Sequence, residues 1–472
     1  MRARRGAGAA AASARMTCRA ALASIGLISL TSLILLPLSP AAAQGSLPSS
    51  PGGGTAPARL ARIAGTIQVG IGPAGVAVDS RTGTVWVANL GDGTVSEIKE
   101  STERVIETLV VGGEPEGVAV DSARGLVWVS DYAAAGSIWE ISQARHRVIR
   151  QIPAGVFPEL LAVDQRAGIL WVASPDYGEV FTGTRVILAV DENSGKILRR
   201  IVVGTAAQQS DLFSFTVDPA AGLLYVCWDS SGTDYYVSTI SERSGTFLRT
   251  ISLPVSDRYY YLAGASRSGV WITKYVSDLN NSFNWLNDST GTLSGDIKLP
   301  SLDSADPSSF FNPVLDQETR QTWLIRGSLA GSSILIIDMR ARSVAMTIPA
   351  GRYAQSLAID PVTGKAYVSN YLAHSVTVIQ GQAPAAIGAA ARLTATAGVL
   401  ARFVFRAAGW PVPDLTERGP LPPGLSFSGG RGRAVLSGTP ARGDGNRQYR
   451  FEIVATNGIG PAVVQWVRIG VR

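Results

Sequence analysis

Both alternate faces are apolar in "GVAVD" (residues 75–79) and again in "TVWVAN" (84–89), with a short polar turn between them. A strand with one wet face would alternate apolar with polar, so these strands are predicted to lie in sheets covered on both sides. Forty-two residues after its first appearance the phrase returns as "AVDSARGLVWVSDYAAAGSIWEI" (119–141). Recurrence at that interval marks a repeat architecture.

With the aromatic of each copy as a ruler, the units carry Trp86, Trp128, Trp171, Tyr225, Trp271, Trp323 and Tyr367. In six of the seven an Asp stands seven residues earlier: Asp79, Asp121, Asp164, Asp218, Asp316 and Asp360, with Ala265 in the fifth unit. Gly83, Gly125, Gly168, Gly222 and Gly364 follow four residues after the Asp, while Arg320 breaks the pattern in the sixth. An Asp that accepts backbone N–H bonds and a Gly free to take positive φ close a short hairpin, so the Asp set reads as structural turns. The rival reading is a ring of metal-binding or catalytic carboxylates.

Each unit offers four short strands, which suits the sheets of a radially stacked repeat. The outer strand ends recur as "TLVVG", "QIPAG", "RIVVG", "TISLP", "DIKLP" and "TIPAG". A further copy, "TIQVG" (66–70), precedes the first unit, and the seventh unit stops at "SVTVIQG" without one. The N-terminal strand is therefore expected to complete the seventh unit and hide its edge.

"VWVANLGDGTVSEI" (85–98) and "AYVSNYLAHSVTVI" (366–379) resemble the YVTN repeat family of seven-bladed propellers, over residues 59–381. The tail differs: "LPPGLSF" (421–427), "AVLSGTP" (434–440) and "YRFEIVATNGIG" (449–460) are similar to a bacterial Ig-like domain family among the cadherin-like sandwiches. The fold class expected is all-β: a seven-bladed β-propeller of four-stranded antiparallel blades, closed by an N-terminal outer strand, plus a small Ig-like β-sandwich. A Pro/Gly/Ser linker at 44–58, a second linker at 382–392 and the sandwich at 393–472 complete the domain organisation. The Ig resemblance implies calcium as a possible cofactor. Asn457 replaces the usual Asp, however, and no acid cluster supplies the oxygen ligands Ca²⁺ needs.

Arg2, Arg4, Arg5, Arg15 and Arg19 precede an apolar run that ends in Ala41, Ala42 and Ala43, the order of a secretory signal peptide over residues 1–43. Retention of that run as an anchor is the alternative. Without the leader's five arginines, 37 bases face 36 acids. That balance gives no basic stripe, so nucleic acid is not an expected partner. A secreted or cell-surface monomer, without a later transmembrane segment, is the expectation. Beyond the leader Cys227 stands alone, so no internal disulfide can form.

His146 and His374 lack a base–nucleophile partner set, and no ligand spacing points to a metal; the residues name no catalytic group. Aromatics concentrate in two classes of loop that a propeller presents on one face. Tyr132, Tyr177, Trp228, Tyr235, Tyr275, Trp285 and Tyr371 follow the ruler residue; Phe157, Arg258, Tyr259, Tyr260, Phe310, Arg352 and Tyr353 precede the first strands. Such rings either anchor a ligand or pack under their own loops. The functional expectation is a non-catalytic binding or scaffold protein whose face engages a cell-envelope polymer or an extracellular protein. The other class considered is a propeller enzyme of lactone hydrolase or lyase type, with a metal-dependent site at the axial channel.

Overall fold

A computed structural model describes residues 61–176, 184–204, 212–230, 234–254, 261–266, 268–274, 281–300, 309–316, 320–388, 392–410, 412–459 and 461–472. The leader and the 44–58 tract lie outside the described residues. Among the described residues the chain is all-β: nine four-stranded sheets and three short 3-10 turns. No helix among them is long and apolar enough to cross a membrane.

The first sheet runs Pro73–Asp79, Thr84–Asn89, Thr94–Lys99 and Arg104–Val110, each strand antiparallel to the next. Five more sheets repeat this order, opening at Pro115–Asp121, Leu160–Asp164, Leu212–Asp218, Tyr261–Ser266 and Ser309–Asp316. A seventh sheet holds Ala354–Ile359, Lys365–Asn370 and Ser375–Gly381 and takes its fourth strand from far upstream. Ala61–Gln68 pairs antiparallel with it, Ala61 opposite Gly381 and Gln68 opposite Ser375. The first strand of every sheet touches the first strand of the next, and that of the seventh touches that of the first. The seven sheets therefore close on themselves.

Apolar alternation on both faces explains why they do. Trp86 is buried among Val127, Val129 and Trp139 of the second sheet, Trp128 among Leu170 and Val172 of the third, and Trp171 beside Leu224 and Val226 of the fourth. Tyr225, Trp271 and Trp323 repeat the contact around the cycle, and Tyr367 reaches Val85 and Val87 of the first sheet. A buried ring of this size contributes several kcal/mol, roughly 25 cal/mol for each Å² withdrawn from water. No sheet could keep that contribution alone.

The hairpin turns obey one backbone rule. Gly83, Gly125, Gly168, Gly222 and Gly364 have φ between 61° and 70°. The first four offer their carbonyls to the residue just after the third strand, as in Glu100 N–H to Gly83 and Glu192 N–H to Gly168, and Gly364 offers its own to Gly381, the last residue of that strand in the seventh sheet. Arg320 takes the same conformation, φ 56°, and its carbonyl accepts the Met339 N–H. The sixth unit therefore keeps the turn without the glycine.

The tail forms two sheets around one core of Phe405, Leu436, Phe451, Ile453, Val467 and Ile469. One sheet contains Ala383–Gly388, Ala401–Trp410, Arg433–Gly438 and Leu425–Ser428. The other contains Arg392–Ala395, Val463–Val471, Arg447–Thr456 and Asp414–Arg418, with Arg392–Ala395 parallel to its neighbour. This corrects the expected linker at 382–392. Ala383–Gly388 pairs with the Ala401–Trp410 strand and is already part of the tail, because that strand's edge has backbone groups to satisfy. Trp410 joins tail to ring: it is 1% exposed, packs 5.8 Å from Trp323, and sits over Gly364 and Gly381, where a Cβ would collide with its ring.

Trp410→Ala is expected to cost about 3–5 kcal/mol, as for other fully buried aromatics. Calorimetry should then resolve a separate transition for the tail, where the parent protein shows one coupled to the ring.

Candidate functional site

At the end of the ring that carries the first hairpins, polar groups serve the joints between sheets. Asp79 Oδ1 accepts the N–H of Arg81 at 2.9 Å; Asp121, Asp164, Asp218 and Asp360 accept equivalent backbone donors at 2.7–3.1 Å. Asp316 is nearly buried, but the turn that follows it, 317–319, lies outside the described residues. The second Asp oxygen turns to the neighbouring sheet. Gln143 Nε2 donates to Asp79 Oδ2 at 2.8 Å, and burial, which pushes Asp79 up, is outweighed by such donors, so its carboxyl ionises more readily than usual.

In other units a Glu occupies the position of Gln143, one residue past the third strand. Glu192 stands against Asp121, Glu242 against Asp164, and Glu100 against Asp360. A carboxylate cannot donate as the amide does; between Glu192 and Asp121 the donor is Arg124, whose Nη1 lies 3.3 Å from Glu192 Oε2 and 2.7 Å from Asp121 Oδ2. Burial, reinforced by the facing Asp, pushes Glu192 and Glu242 up to about 8 and Glu100 up to about 7. The acids also hold the ruler aromatics: Trp128 Nε1 donates to Glu192 Oε1 at 2.9 Å, and Tyr367 Oη to Glu100 Oε1 at 3.1 Å. From the ruler these residues fall at offsets of 14, 15, 21 and 17, because the intervening loops differ in length. Counting from the third strand would have aligned them.

Two rows of arginines complete this end. Arg81 Nε, Arg124 Nη1 and Arg166 Nη1 donate to the carbonyls of Ser122, Gln165 and Pro219, each in the next sheet, at 2.6, 3.1 and 3.4 Å. Further out, Arg150 and Arg199 reach the carbonyls of Asn193 and Arg243 at 3.0 and 2.5 Å, and Arg249 reaches that of Ser289.

The opposite end has a different character. Tyr132 is half-buried, its ring 5.0 Å from Phe157, and its N–H donates to Glu114. Tyr371 lies 6.1 Å from Tyr353 and over Gly72, and its N–H donates to the Tyr353 carbonyl. Phe157 and Tyr353 both hold positive φ, 49° and 53°, in the loops that lead into first strands. Backbone conformations of this kind persist only where the surroundings impose them. Arg352 is exposed beside this pair, its Nε donating to Leu329 O at 3.3 Å.

The structure moves three of the expected loop aromatics into strands. Trp228 lies in Leu223–Ser230, stacks 4.5 Å from Tyr236 and donates to Ser238. Tyr235 is 5% exposed and belongs to the core around Tyr225. Trp285 lies in Ser282–Asn287, directly opposite Trp271. All three are corrections: the hairpin of the fourth sheet pairs on to Ser230 and takes in Trp228 and Tyr235, while Trp285 falls within the third strand of the fifth sheet, which pairs no further past its ruler residue than the first sheet does. Tyr177, Arg258, Tyr259, Tyr260 and Tyr275 lie outside the described residues, as does the side chain of Phe310.

Both histidines sit just after a 3-10 turn with positive φ and tie neighbouring units together. His146 Nδ1 is 2.7 Å from Glu97 Oε2 of the first sheet, and His374 Nδ1 accepts the Gly72 N–H at 3.1 Å. Cys227 is fully buried, which pushes its thiol well above the usual range. Asn457 Oδ1 accepts the Ile459 N–H within its own turn. Among the described residues no group of three His, Cys, Asp or Glu is placed to hold a metal ion.

No family model matches the chain, and no curated protein matches it. Among solved structures it is similar to hydrazine synthase from Kuenenia stuttgartiensis, with TM-score 0.54 and 16% identity over 65% of this chain and 95% of that one. Identity at this level speaks for fold alone, and with the four-stranded sheets it supports a β-propeller-like all-β architecture.

Glu192 and Glu242 ionise near their ordinary 4.5 in the unfolded chain and near 8 in the folded one. Their contribution to stability is therefore expected to be full below about pH 4.5, to fall as pH rises, and to be lost above about pH 8, whereas the depressed Asp79 contributes in the opposite sense on the acid side. Replacing both by Gln, the residue already present at 143, should flatten part of that fall in a series of thermal melts.

Proposed function

We propose that the chain is a seven-bladed β-propeller of YVTN-repeat type, closed by its N-terminal strand and followed by a bacterial Ig-like sandwich. It acts outside the cell as a non-catalytic binding or scaffold protein, and the end bearing the loops between blades grips an extracellular polymer or protein. The blade assignment is supported by the cyclic contact of seven first strands and by the pairing of Ala61–Gln68 with Ser375–Gly381. Secretion is supported by the order of charged, apolar and small residues over 1–43.

One observation carries the binding site. Two aromatic pairs, Tyr132 with Phe157 and Tyr353 with Tyr371, recur at equivalent places on one end, half-buried and held by strained loop backbone. At the other end the Asp, Glu and Arg side chains are engaged between sheets. Rings with an apolar face and a hydroxyl rim suit sugar stacking or a protein hot spot.

Replacing Tyr132, Tyr353 and Tyr371 together by Ala should lower retention on cell-envelope extract by about tenfold or more, the loss typical of hot-spot rings. Circular dichroism and the thermal midpoint would establish that the variant is folded. Retention equal to the parent would remove this end as the binding site.

A further inference from the structure

The near-neutral total conceals a separation of charge. Residues 382–472 hold eleven arginines, no lysine and four acids, an excess of seven positive charges. Residues 44–381 hold 26 bases and 32 acids, an excess of six negative ones. The expectation that no basic surface survives is thus corrected: two opposite domains cancel in the sum.

Part of that charge is ordered on one sheet face. Along the solvent side of the Arg392–Ala395, Val463–Val471 and Arg447–Thr456 strands, Arg392 pairs in register with Arg468, and Arg468 with Arg450. All three are exposed, and among the described residues no carboxylate makes an ion pair with any of them. Like charges directly opposite on neighbouring strands destabilise a sheet, so the row is unfavourable for folding by itself. Beside it Trp466 is 47% exposed, with the Arg450 guanidinium 3.8 Å over its ring. Arg392 and Arg468 line a cavity of about 430 Å³ together with Arg447, Arg472 and Gly470. Gly470 has open space where a Cβ would stand.

We propose that this face of the tail binds an acidic polysaccharide, a polymer bearing one carboxylate per sugar unit. Strands stand about 4.8 Å apart, so the row roots one arginine per strand at a backbone spacing close to the length of a sugar residue along an extended chain, within the reach of long side chains. Arginine without lysine fits planar carboxylates, which it can engage through two parallel N–H bonds. The Trp466 indole, on which the Arg450 guanidinium is stacked, adds an exposed apolar edge beside the row for the polymer's sugar rings. The site is separate from the loop end of the ring, so failure of either reading leaves the other standing.

The test uses the full chain and polygalacturonate as probe. The wild type should bind it, more weakly at high salt, and should lose binding when the polymer's carboxyls are reduced to alcohols. Arg392→Ala with Arg468→Ala should weaken binding by about tenfold or more, consistent with loss of two charge-assisted contacts. Trp466→Ala should weaken it several-fold. Because the row is self-repelling, the arginine variant should melt no lower than the parent, which separates a ligand-binding role from a structural one. The proposal is overturned if the wild type ignores polygalacturonate, if neutral dextran binds equally well, or if the arginine variant binds like the parent. Tighter binding to duplex DNA or to phosphatidylglycerol vesicles than to the polysaccharide would equally overturn it.

Discussion

No sheet in the ring has a face that tolerates water. Its second and third strands are buried almost without interruption, and each ruler aromatic finds its partners in the adjoining sheet. A chain of such sheets can be stable only if the last covers the first. Everything else follows from closure: the borrowed N-terminal strand, the common contact of the first strands around the axis, and the absence of any need for a disulfide.

Closure also divides labour between the two ends. Hairpins that join first to second and third to fourth strands are short and nearly constant in length, so their Asp, Glu, Gln and Arg residues recur at fixed geometry and can be joined from sheet to sheet. Loops between sheets have no such constraint and vary in length, which leaves that end free for recognition. The buried acid pairs show how far the first end is committed. Where one joint uses the amide of Gln143, others place a Glu whose carboxyl burial pushes up, and the indole of Trp128 and the phenol of Tyr367 use that carboxyl as their acceptor. These acids are strongly perturbed yet structural, since each faces a neighbouring sheet and not a cavity.

Among the described residues Trp410 is a large side chain of the tail that packs against the ring. Trp410 fills space that the glycines at 364 and 381 leave open, so the joint is specific to those positions. Beneath the arginine-bearing sheet lies the tail's own core, whose apolar burial offsets the self-repulsion on that sheet.

What the sequence determined by itself was everything local. Period-two apolar patterning, seven aromatics, the Asp-to-Gly turn spacing and the displaced outer-strand phrase fixed the strands, their order and the strand that closes the ring. Those features are legible because hairpin geometry depends on neighbours a few residues apart. Tertiary structure decided the rest. Trp228, Tyr235 and Trp285 are aromatic like Tyr132 and Tyr371, but strand pairing, which a single sequence does not bound, made them wall or core in place of rim. The Gln143 position was hidden because loop insertions broke its spacing from the ruler, and Trp410 because nothing near it in sequence says that glycines 364 and 381 lie beneath it. The arginine row, finally, depends on register between three strands, one of them parallel and more than fifty residues away, and no count of charges along the chain can supply that.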